Sequence, residues 1–116
     1  MRGPKRTGKT KGGSEAQRAA DFAALCSTIA ALRTADEARR FLLDVATPAE
    51  LDAFAERWRI ARFLDAGELS YRDIAAATGA STTTIARVAR FLKEEPHRGY
   101  RLMIDRVRKA GKGARS

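Results

Sequence analysis

The apolar positions of this chain recur three and four residues apart along most of its length, the spacing of helical faces. Phe22, Leu25, Ile29 and Leu32 form one stripe, Phe41, Leu42 and Val45 a second, and Leu51, Phe54, Trp58, Ala61 and Leu64 a third. No segment alternates apolar and polar residues as a half-buried strand would. The starts are written beside the stripes. "SEAQ" (14–17), "TADE" (34–37), "TPAE" (47–50) and "SYRD" (70–73) each set a hydroxyl three residues ahead of an acid or amide, the pairing that satisfies the free N–H groups of a helix's first turn. Pro48 follows Thr47 at a first helical position, where its fixed φ helps and its missing N–H costs nothing. The stops agree: Gly67 and Gly79 suit left-handed C-caps, and Pro96 closes the run before it. The pattern predicts helices near 15–33, 36–46, 48–66, 71–78, 82–94 and 99–109. The fold class is all-α, with no internal repeat.

The fourth and fifth helices are short and joined by "TGAS" (78–81), and their residue types fit a helix-turn-helix over 71–92. With Tyr71 first, the geometry asks for an apolar residue fourth, a small one fifth, glycine ninth, and apolar ones fifteenth and eighteenth. Ile74, Ala75, Gly79, Ile85 and Val88 stand at those places. Ser81, Thr82, Thr83, Ala86, Arg87 and Arg90 then face away from Ile85, Val88 and Leu92. Hydroxyls, a methyl and two guanidiniums are groups that a DNA major groove can engage. Arg72, at the start of the preceding helix, is placed to reach a phosphate. The competing reading is a tight helical corner whose outer face is merely solvated.

Charge sharpens this picture. The 116 residues carry a net charge of +9, unevenly spread. Residues 1–13 hold +5 and residues 106–116 another +5, with no acid in either, while 14–105 sum to −1. The sequence therefore reads as a disordered basic N-terminal arm over 1–13, a near-neutral helical domain over 14–109 and a basic tail over 110–116. Basic arms bind polyanions by releasing counterions, whatever the sequence of the polyanion. No apolar run approaches the ~20 residues that span a bilayer, and the N-terminus lacks the apolar stretch of a signal peptide. A cytoplasmic protein without membrane contact is expected. The single cysteine, Cys26, lies in an apolar helical pattern and is expected to be a buried thiol.

One motif points elsewhere. "GPKRTGKT" (3–10) spells G-x-x-x-x-G-K-[ST], a phosphate-binding loop. Such a loop works between a strand that delivers it and a helix that follows it. Here only Met1 and Arg2 precede Gly3, and "KGG" follows, so the spelling is expected to be accidental and the protein not an enzyme. His97 is the only histidine, which leaves no His-based metal cluster or catalytic dyad within one chain. No metal or cofactor is expected. Trp58, on the third stripe, is expected in the core or at a subunit interface.

The run "GASTTTIARVARFLK" (79–93), preceded by "TPAELDAFAERWRIARFLDAGELSYRDI" (47–74), resembles the Trp repressor superfamily. With the ending "GYRLMIDRVRK" (99–109) it looks most like the Trp repressor-like YerC/YecD-type proteins, over roughly residues 27–108. The resemblance implies a six-helix Trp repressor-like fold, an intertwined homodimer, and binding to double-stranded operator DNA in transcription regulation. It also implies places for a tryptophan corepressor: Thr47, Arg57 and Arg87 match the family's threonine and two arginines. Val88, however, stands where the family has the glycine that packs on the indole, and Phe91 where it has a serine. Both changes add bulk, so a small-molecule effector is not expected and the former pocket is expected to be filled. The remaining alternative is a sequence-tolerant RNA- or DNA-binding module driven by the arms, against which the scarcity of aromatic residues, 7%, counts.

Overall fold

The computed structural model describes residues 14–115. Among these there are six α-helices and no strand: α1 Glu15–Ala30, α2 Ala35–Val45, α3 Pro48–Ala66, α4 Tyr71–Thr78, α5 Thr82–Lys93 and α6 Gly99–Arg115. The basic stretch 1–13, with its phosphate-loop spelling, lies outside the described residues. The chain divides into two compact units, one ending at Val45 and the other beginning at Ala46. No helix among the described residues is long and apolar enough to cross a membrane.

In the first unit, Ser14 caps α1 by accepting from the Gln17 N–H at 3.0 Å. Helix α1 stops at Ala30, three residues short of the expected end. The Leu32 N–H turns to the Ile29 carbonyl at 3.1 Å, tightening the last turn and leaving Leu32 beyond the helix. Thr34 then starts α2, accepting from the Glu37 N–H at 3.0 Å. Neither helix buries a residue, and Phe22 is 66% exposed. This overturns the expectation for Cys26, which is exposed. Its helical pattern is apolar as read, yet no residue of α1 is buried.

The second unit holds the core. Thr47 and Glu50 form a reciprocal capping box on α3: Thr47 Oγ1 accepts from the Glu50 N–H at 3.1 Å, and Glu50 Oε1 accepts from the Thr47 N–H at 2.8 Å. That second bond holds the Glu50 carboxyl below its ordinary pKa. Ile60 and Ala61 of α3, Ile74 of α4, Ile85, Val88 and Leu92 of α5 and Ile104 of α6 form one buried cluster, with Ala80 from the turn. Trp58 is half-buried against it. Helix α6 runs on to Arg115 instead of ending near 109. No proline interrupts it, and each glycine costs a helix interior only about 1 kcal/mol.

Gly67 and Gly79 terminate α3 and α4 with φ of 70° and 78°. Nothing lies within 4 Å of where a Cβ on Gly79 would sit. Gly79→Ala should therefore lose only the backbone preference, about 1–2 kcal/mol, read as a shift of the urea midpoint at constant slope.

Candidate nucleic-acid interface

Helices α4 and α5 are held by their own ends. Ser70 Oγ accepts from the Asp73 N–H at 3.1 Å and starts α4. The turn is closed by the Gly79 N–H donating to the Ala75 carbonyl at 2.8 Å. The Thr78 hydroxyl donates to the Ile74 carbonyl at 2.7 Å and accepts from the Ala80 N–H at 3.1 Å. Ser81 then caps α5, accepting from the Thr84 N–H at 3.1 Å. These bonds within the four-residue connection help keep the two helices at a defined crossing.

One side of α5 is the core: Ile85, Val88, Ala89 and Leu92 are buried, Ile85 with 0% exposure. Helical geometry sends the other positions outward, and Thr82, Thr83, Ala86, Arg87 and Arg90 are all exposed, as are Ser81 and Arg72. The three arginines differ in freedom. Arg72 has no ion-pair partner among the described residues. Arg87 lies over the Phe91 ring at 4.4 Å from its centroid. Arg90 lies 5.4 Å from the same ring, and its Nε is 3.3 Å from the Glu95 carboxylate. Thr82, Thr83 and Ala86, in the first turns of α5, present a hydroxyl-and-methyl surface framed by positive charge.

Two features of this unit went unread in the sequence. Asp65, near the end of α3, is 12% exposed at its side chain and takes Arg101 at 2.8 Å and Arg108 from α6. The Arg101 hydrogen bond foremost, then that of Arg108, hold its carboxyl below the usual carboxylate range against the opposing effect of burial. Arg101 and Arg108 stand seven residues apart, two turns of one helical face, so the signal was a matched spacing without an evident acid to receive it. Tyr100, in the first turn of α6, packs on the core. Burial pushes its phenol pKa up, against the pull of Arg57 and Arg87.

Of the residues that the resemblance assigned to a corepressor, the structure brings some together. Val88 is 1% exposed and belongs to the core cluster. Phe91 lies under Arg87. Arg57 itself lies 5.9 Å from the Phe54 centroid. Thr47 stands apart, ten residues before Arg57 along the same helix, or about 15 Å along its axis.

The sequence model of the Trp repressor protein family matches residues 20–108, from within α1 into α6. The chain belongs to the Trp repressor family. A curated relative, the uncharacterized protein YerC of Bacillus subtilis (strain 168), is 38% identical over 84 residues, which is 72% of this chain and 79% of YerC. Among solved structures, a TrpR-like protein from Eubacterium eligens matches with a TM-score of 0.66 at 34% identity, covering 83% of this chain and 92% of that one. The all-α Trp repressor-like architecture is thus shared with that solved structure. The Trp repressor family is one of helix-turn-helix DNA-binding regulators.

Proposed function

We propose that the protein is a sequence-specific regulator that binds duplex DNA as a homodimer, reads it with α5, and needs no tryptophan to do so. The observation that carries this reading is α5 itself. Four buried side chains fix one face, and Thr82, Thr83, Ala86 and Arg87 are exposed on the other, at the end where a reading helix meets base edges. Arg72, at the start of α4, fits a phosphate contact that sets register, and Arg90, tied to Glu95, fits the backbone better than a base. Pairing of two chains is supported by apolar surface: Phe22, Ile29, Leu43, Val45 and Phe54 are each about half exposed or more in the single chain. Independence from tryptophan is supported by Val88, sunk in the core, and by Phe91, already stacked beneath Arg87. The basic segments 1–13 and 106–116 add attraction for any sequence.

Selection of bound fragments from random duplex DNA tests the reading. A pseudo-palindromic site with half-sites about one turn, ~34 Å, apart is the expected result. Recovery of no consensus, with single-stranded RNA competing equally, would replace the regulator by a sequence-tolerant coating protein. Changing Thr82 or Thr83 to a bulky residue should alter the preferred bases, at about 1–3 kcal/mol per base pair read. Removal of residues 1–12 should weaken all sequences alike and flatten the salt dependence by roughly 0.9 log unit for each phosphate no longer neutralised.

A further inference from the structure

We infer that Phe91 is a positioning residue of the reading helix: its ring orders the Arg87 guanidinium for the duplex without neutralising it. The inference rests on the assignment of α5 as the reading helix and adds what prepares one of its cations. Of the arginine–ring contacts among the described residues, Arg87 on Phe91 is the shortest, at 4.4 Å to the centroid against 5.3–5.9 Å for the rest. The others therefore sit near the limit of the attraction, about 6 Å, and this one well inside it. Phe91 is also the one ring among them that two guanidiniums approach, since Arg90 lies 5.4 Å from it. Phe91 stands one helical turn beyond Arg87, so the two side chains are neighbours on the surface of α5. Val88 and Leu92, on either side of it in the sequence, belong to the core, so the half-buried ring stands on anchored backbone.

The two cations at this ring are held differently. Arg90 is ordered by an acid: its Nε lies 3.3 Å from the Glu95 carboxylate, which offsets its charge. Arg87 has no carboxylate and no hydrogen-bond partner among the described residues, and rests on the ring instead. An aromatic face attracts a cation through its quadrupole and carries no net charge, so Arg87 keeps both its charge and its N–H donors. Those donors match a phosphate or the major-groove edge of guanine. A long side chain that is already placed loses less rotamer freedom when it meets the duplex. Leucine at this position would keep apolar volume and offer the guanidinium no face to rest on.

Nuclear magnetic resonance of the full chain reports the contact through the Arg87 Cδ protons. The ring current should move them upfield of ordinary arginine in the unmodified protein and in Phe91→Tyr, but not in Phe91→Leu. Against a duplex selected with the unmodified protein, Phe91→Tyr should bind within about twofold, because the aromatic face is kept. Phe91→Leu should bind roughly threefold more weakly, the scale of an exposed cation–π contact. In an Arg87→Ala background Phe91→Leu should cost nothing further, which a ring that merely packs the helix would not show. Selection repeated with Arg87→Ala separates the two acceptors: a changed consensus marks guanine, and uniformly weaker binding to the same consensus marks phosphate. Equal weakening by Phe91→Leu in both backgrounds, or unmodified affinity in Phe91→Leu or Arg87→Ala alone, overturns the inference. If Phe91→Leu does not fold, Arg87 Cδ protons at ordinary positions in the unmodified protein overturn it equally. Should the unmodified protein select no duplex, the reading of α5 fails and takes this inference with it, whereas additive losses on a selected duplex sink this inference alone.

Discussion

Replacing Ile85 by alanine should destabilise the α3–α6 unit by about 2–5 kcal/mol, a large share of the roughly 5–15 kcal/mol that holds a small domain folded. Ile85 has no exposed surface, and neither do Ile60 of α3 and Ile74 of α4, which belong to the same cluster. Three helices therefore meet around its side chain. Truncation removes three methyl or methylene groups and leaves a gap that α3 and α4 can close only by giving up their packing elsewhere. Urea unfolding followed by circular dichroism should show an early midpoint. A duplex carrying the selected site should move that midpoint back, because ligand binding to the folded form adds to its stability. A loss below about 1 kcal/mol would mean that the helices close over the gap and that Ile85 does not set their crossing.

Asp65→Asn should loosen α6 and remove the acid sensitivity of its attachment. The carboxylate serves two guanidiniums at once, and Arg101 is shared with Asp105 at 2.8 Å. An amide keeps the shape but has one acceptor oxygen and no charge, so a loss of about 1–2 kcal/mol is expected, tempered by the partial exposure of the arginines. The pH dependence follows from the direction of the shift. The folded-state pKa lies below the unfolded value of about 3.9, so the contribution is complete above that value and disappears as pH falls through the folded one. The stability difference between the unmodified protein and the Asp65→Asn variant should therefore be constant from about pH 5 to 8 and shrink below about pH 4. A difference that persisted at pH 2–3 would show that packing, and not ionisation, fastens the helix.

Local signals carried the helix-turn-helix. Helices α3 and α4 begin and end where Thr47, Pro48, Gly67, Ser70 and Gly79 place them, because caps and left-handed turns are decided within a few residues. Once Ile85, Val88 and Leu92 are taken as inward, the outward set on α5 follows from helical geometry alone. The capping-box spelling was less uniform than it looked. At Thr34 the Glu37 carboxylate takes the Arg33 N–H at 2.9 Å, one residue before the reciprocal partner, whereas at Thr47 the box is complete. The Ser81 hydroxyl, read only as a DNA group, first caps its own helix.

What the sequence concealed depends on partners distant along the chain. Helix α3 has apolar residues on more than one side, so the stripe through Phe54 seemed as good as any, yet Phe54 is 53% exposed while Ile60 is sealed. Which side faces inward was decided by α5 and α6. Asp65 and Tyr100 gained their roles the same way, through a crossing of α6 that spacing within one helix does not specify. Cys26 was misplaced for the opposite reason: its stripe is apolar, but no residue of α1 is buried and the thiol is exposed.

That solitary sulfhydryl offers an experimental handle. It is the one cysteine in the sequence, so a maleimide reagent will tag a single position without prior substitution of other thiols. It lies on the helix whose surroundings must change most if two chains meet along their apolar stripes. Subunit exchange and dissociation can then be timed by the protection of one sulfur atom, in dilute solution and without any nucleic acid, which separates assembly from every later step of gene control.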